Sequence, residues 1–149
     1  MKINHFYLTI FLSLFFGCVS PNEKEKDIVS VTDTISVLNC ILSQKDIINL
    51  IETYETDTVF LINNEINLEK YDLKLPKNKI ARIIPKPAGY PKYGNFDYKR
   101  LQLSFEQLKI SNDKAECKIL IKTVGLLADF RLVKKDNKWS IIDYSKIMI

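Results

Sequence analysis

Four side chains in this sequence could do nucleophilic, redox or acid–base work near neutral pH: the thiols of Cys18, Cys40 and Cys117 and the imidazole of His5. Cys40 and Cys117 are far from CxxC spacing, so neither a dithiol redox motif nor half of a zinc site is present. They fit either a disulfide, worth about 2–4 kcal/mol, or two buried thiols acting as small apolar groups, and the second reading is favoured. His5 lies inside an apolar N-terminal stretch. Removal of that stretch would leave a domain without histidine, which excludes His-dependent triads, His general catalysis and His-ligated zinc. Gly89, Gly94 and Gly125 do not make a phosphate-cradling loop. Paired carboxylates have no sequence signature, and Asp and Glu are scattered. The expectation is therefore no enzyme, no catalytic or metal-ligating residue and no cofactor.

Cys18 stands apart because of what precedes it. Lys2 and the terminal amine form a short positive region, and Phe6–Phe16 is an uncharged apolar run. Gly17 follows, and after Cys18 the chain turns abruptly polar in "VSPNEKEKD". This is the layout of a secretory signal peptide, with an apolar run shorter than the roughly 20 residues that span a bilayer. The stretch resembles the lipobox of bacterial lipoproteins, in which a small residue precedes a cysteine that is diacylated and becomes the mature N-terminus. Gly17 and Cys18 match its two central positions, while Phe15 and Phe16 stand where Leu and a small residue are usual. The resemblance implies a signal peptide over 1–17, lipidation at Cys18 and a polar tether over 18–28. It places the protein in the bacterial cell envelope, anchored in the outer membrane with its face open. Two acyl chains hold stably where one, at about 0.8 kcal/mol per buried CH₂, holds marginally.

Residues 29–149 are read as a single domain. The chain has 149 residues, of which 46% are hydrophobic and 27% charged, ordinary values for one globular unit. The net charge is +4, yet only Arg82, Arg100 and Arg131 among the 22 basic residues are arginine. Arginine is the preferred bidentate reader of phosphates and bases, so nucleic acid is not an expected partner.

The elements follow from periodicity. Ile35, Leu38 and Leu42 recur at helical spacing, as do Ile47, Ile48, Ile51 and Tyr54. Ser43, with Asp46 three residues on, is a candidate N-cap that either divides two helices or kinks one. Asp57–Asn63 and Lys79–Ile84 read as strands. Leu101, Leu103 and Phe105 alternate, Leu108 and Ile110 continue out of step, and a bulge near Glu106 and Gln107 would restore them to the core. Ala115, Cys117, Ile119 and Ile121 share one strand face. Asp136 and Asn137 suit a two-residue hairpin turn that sets Leu132 opposite Ile141 and Lys134 opposite Trp139. Clean alternation indicates antiparallel strands with one wet face. The expected fold class is α+β: N-terminal helices packed on an antiparallel sheet that ends in a β-meander. The closing "FRLVKKDNKWSI" resembles the terminal hairpin of NTF2-like domains, which implies as an alternative a cone with a pocket between sheet and helices.

Charge is unevenly spread. Residues 43–69 hold Lys45 against six acids, whereas residues 70–100 are strongly basic. Within the turn-rich stretch Pro85–Arg100, Tyr90, Tyr93, Phe96 and Tyr98 are interleaved with Lys92, Lys99 and Arg100. Aromatics interleaved with cations make a partner surface for an anionic protein or glycan. The expectation is a non-enzymatic, lipid-anchored envelope protein acting by binding, of the immunity or accessory kind. The alternative is a small-ligand binder or enzyme using an NTF2-like cavity. If Cys18 carries the anchor, wild-type protein will incorporate a labelled fatty acid and Cys18→Ser will not. Unlabelled wild-type protein would remove the anchor.

Overall fold

The computed structural model describes residues 30–86 and 100–149. Two helices, α1 (Val31–Leu42) and α2 (Lys45–Thr53), precede six strands: β1 (Thr58–Asn63), β2 (Ile80–Pro85), β3 (Gln102–Ser111), β4 (Lys114–Ile121), β5 (Leu126–Lys135) and β6 (Lys138–Met148). The strands form one open sheet in the order β2-β1-β3-β4-β5-β6. The α+β class and the terminal meander match expectation.

The sheet is mixed, which corrects the purely antiparallel expectation. Strand β1 pairs in parallel with β2 on one side and β3 on the other, and only β3 through β6 are antiparallel. The link from 64 to 79 is long enough to carry the chain back to the starting end of β1, as a parallel neighbour requires. The near-continuous apolar run Val59–Ile62 also belongs to a strand covered on both faces rather than a half-wet one.

Ser43 divides the helices, but as the end of α1: its backbone N–H donates to the Asn39 carbonyl. Gln44 caps α2, its Oε1 accepting from the Asp46 and Ile47 amides at 2.6 and 3.1 Å. The buried stripe of α1 is Val37, Leu38, Ile41 and Leu42, with Ile35 at its margin. With Ile47 and Ile51 of α2, these side chains pack on Leu61, Leu103, Phe105, Ile119 and Phe130 of the sheet. Each large side chain so buried contributes about 1.5–3 kcal/mol.

The bulge on β3 lies where the pattern requires it. Phe105 opposes Ile119 and Gln107 opposes Lys118, so Glu106 is the extra residue, and Leu108 and Ile110 return to the core face. A second bulge on β6 sets aside Ile142, which is 65% exposed. Asp136 and Asn137 have φ of 49° and 60°, the left-handed turn expected of them, and Lys134 pairs with Trp139. Cys40 and Cys117 are free thiols, and burial pushes Cys117 up to about 12. An inert packing group results.

Helix α1 is fastened to the last hairpin by one carboxylate. Asp33 Oδ1 accepts from Trp139 Nε1 at 2.9 Å and from Lys134 Nζ at 2.7 Å. The Lys134 ammonium also lies 5.9 Å from the Trp139 ring centroid. Trp139 is only 8% exposed. A second fastening joins Asp46 of α2 to Lys146 of β6 at 2.8 Å.

The hydrogen bond from Lys134, then that from Trp139, holds the Asp33 carboxyl below its ordinary value. Asp46 is lowered likewise, first by its hydrogen bond to Lys146. A carboxyl depressed in the folded state contributes stability above the unfolded pKa of about 4, and loses it as pH falls through the folded value. Asp33→Asn should therefore lower the melting temperature at neutral pH and flatten its fall below about pH 4, so that the two curves converge in acid. Curves that stay parallel across the acid range would show that Asp33 does not titrate with folding.

Candidate functional site

Strand alternation sends every second residue away from α1 and α2, and this second face of the sheet, helix-free among the described residues, collects what the core cannot hold. At the β2-β1-β3 end that face carries a basic and aromatic strip. Phe60 of β1 is directly opposite Arg82 of β2 and Gln102 of β3, with Arg100 two residues before Gln102 on the same face. The Arg82 guanidinium lies 6.0 Å from the Phe60 ring centroid and that of Arg100 lies 5.6 Å from it. Both arginines are exposed and Phe60 is half-buried. A guanidinium stacked on a ring meets it through its planar face.

The middle of the face is dry. Ile62 and its neighbour in register, Ser104, are both fully buried. The Ser104 hydroxyl has no hydrogen-bond partner. Beside it, at the bulge, Glu106 Oε2 accepts from Asn64 Nδ2 at 2.8 Å, while Oε1 is buried without a partner.

Over β4, β5 and β6 the face becomes a charge checkerboard. Glu116, Arg131 and Asp143 lie side by side across the three strands, and Lys118, Asp129 and Ser145 form the next row. Together they line a concavity of about 390 Å³. Arg131 pairs with Asp143, and Lys118 with Asp129 at 3.4 Å. Exposed pairs of this kind contribute little each, about 0–1 kcal/mol, so their effect is a hydrated, charge-balanced surface. The three carboxylates converge on the concavity, but two of them are committed to cations.

No family model, curated protein or solved structure matches this chain. The face itself is what remains to be read. Of the residues that the sequence nominates, Cys18, Tyr90, Lys92, Tyr93, Phe96, Tyr98 and Lys99 lie outside the described residues. Arg100 is described, exposed and stacked on Phe60. Sequence reasoning missed Arg82 and Phe60. Arg82 was legible as one of three arginines. Phe60 was hidden, because in an all-apolar strand nothing marks which residue leaves the core face. Among the described residues no group of His, Cys, Asp and Glu is arranged to hold a metal ion, and no helix is long and apolar enough to cross a membrane.

A buried hydroxyl without a partner costs about 1–3 kcal/mol of desolvation. Ser104→Ala should therefore raise stability by about 1 kcal/mol, seen as a melting temperature a few degrees higher. A fall of several degrees would mean that the hydroxyl is hydrogen-bonded in solution.

Proposed function

We propose that this protein is a non-enzymatic, lipid-anchored envelope protein that acts by binding another protein through the helix-free face of its sheet. One observation carries the reading. All three arginines of the chain, Arg82, Arg100 and Arg131, stand on that face. Lysine supplies positive charge nearly everywhere else, so arginine is used where a planar fork and a stacking surface differ from a point charge. The opposite side of the sheet is taken up by the helices and the packed core, whereas over β4, β5 and β6 this face exposes Glu116, Arg131, Asp143 and Ser145. A flat sheet face with a stacked aromatic, forked cations and a hydrated rim has the anatomy of a protein interface. Attachment through Cys18 would hold that face clear of the bilayer on the polar tether. A blocking role of the immunity kind, or an accessory role in an envelope assembly, needs no more chemistry than this.

The test is face-resolved cross-linking of the full-length protein in its own cells. A photoreactive residue in place of exposed Glu116 reports on the helix-free face, and one in place of exposed Asn49 reports on α2. A discrete adduct from position 116 and none from 49 is expected. Adducts from both positions alike, or from neither, would overturn the reading.

A further inference from the structure

We infer that the second half of β6, Asp143–Met148, is a docking edge for an extended segment of the protein partner, which joins the sheet as a further strand. The inference rests on the helix-free face being the interaction surface, and adds how the partner is held beside that face. In the order β2-β1-β3-β4-β5-β6, β6 has β5 on one side and no described strand on the other. The Ile149 amide donates to the Gly125 carbonyl at 2.8 Å, which sets the phase of the β5–β6 ladder. Asp143, Ser145 and Ile147 therefore turn their backbone groups to β5, and Tyr144, Lys146 and Met148 turn theirs to the edge. The rings of Phe130 and Tyr144, stacked at 4.8 Å, fit this phase, since side chains stand closest at pairs that exchange no hydrogen bond. Asp143 Oδ1 accepts from the Tyr144 amide at 2.9 Å. The N–H groups of Lys146 and Met148 and the carbonyls of Tyr144 and Lys146 make up the rest of the edge row.

The two edges of the sheet are guarded differently. Strand β2 is six residues long and ends at Pro85, and short length and proline both discourage an added strand. On β6 the first half is attended by α1, the Trp139 carbonyl accepting from the Cys40 thiol at 3.5 Å. Past the bulge at Ile142 the edge is apolar and exposed. Of the six large apolar side chains exposed among the described residues, Ile142, Ile147, Met148 and Ile149 stand on or directly after β6. In strand addition the main-chain bonds give affinity and the alternate side chains choose the segment. The segment that fits carries little charge, because Asp143 is paired with Arg131 and Lys146 with Asp46. It is apolar where it meets Ile147 and Met148. The Lys146–Asp46 bridge, at 2.8 Å, closes the α2 side of the edge. The body of the partner is thus placed over the opposite face, beside Asp143 and Ser145. A second copy of this chain fits less well. Paired edge to edge about a two-fold axis, it would offer the six residues Asp143–Met148 on each side, where a stable interface uses roughly 20–30, and the charged face would stay out of the contact.

Met148 separates backbone pairing from side-chain contact. Its N–H faces the edge, so Met148→Pro removes that donor without breaking a bond to β5, and Met148→Ala removes the side chain and keeps the donor. In the full-length protein in its own cells, a photoreactive residue in place of exposed Ile147 should give an adduct of the same mass as that from position 116. Met148→Pro should lower the yield of both adducts by roughly three- to tenfold more than Met148→Ala does, while the two variants melt within a few degrees of each other. No extra loss in Met148→Pro, or a lipid adduct in place of a protein one at position 147, would overturn the added strand. Should Met148→Pro fail to fold, position 147 in the otherwise unchanged chain decides, and absence of its adduct overturns the docking. An adduct from 116 without one from 147 keeps the face as the interface and removes the strand. A proline-sensitive adduct from 147 without one from 116 keeps the strand and removes the face. If neither position gives an adduct, both readings fall.

Discussion

Strand β3 has to satisfy two kinds of neighbour at once, and the extra residue at Glu106 is what allows it. At its start β3 runs parallel to β1, and over its full length it runs antiparallel to β4. Side chains alternate with a strict period of two, so a slip of one residue exchanges the two faces. Without the bulge between Phe105 and Gln107, either Leu103 and Phe105 or Leu108 and Ile110 would be turned away from the helices. With it, all four face the core cluster, and Gln107 and Lys109 are delivered to the wet side. The separation of a dry helix-side face from a charged outer face depends on that one insertion.

The fastening of α1 depends in turn on where the sheet ends. Trp139 and Lys134 are paired across the last hairpin, so their positions are fixed by the turn at Asp136 and Asn137. Asp33 then accepts from both on a single oxygen. One carboxylate thereby satisfies the indole N–H, neutralises the ammonium and sets the helix against the sheet. Removing the carboxylate would leave the indole N–H of buried Trp139 without its acceptor, a cost that a simple exposed ion pair does not carry.

How much of this was legible in the sequence follows from which signals are local. The terminal hairpin, its register, the Glu106 bulge and the apolar faces of β3 and β4 were readable because alternation and positive-φ turn residues act over a few positions. The parallel placement of β1 was not, because it depends on which distant strand pairs with it. The helix boundary was half legible. A Ser–Asp pair at three-residue spacing suggests an N-cap, yet Gln44 takes that role while Ser43 closes the previous helix. Of the candidate surface, Arg100 was found from its aromatic and basic surroundings. Arg82 and Phe60 could be joined to it only once β1 was known to lie between β2 and β3.

That arrangement bears on why a chain so rich in lysine has arginine where it does. A lysine at position 82 would place a strongly hydrated point charge beside Phe60 in place of a planar fork. Guanidinium is less strongly hydrated, stacks on the ring and keeps its donors in the plane. Arg131 uses the same fork differently, standing between Glu116 and Asp143 in register and pairing with Asp143. One residue type thus does two jobs on one face. At the checkerboard its charge is cancelled locally by Asp143, which keeps that region hydrated. At Phe60 two arginines share one ring, and that strip makes this end of the face positive.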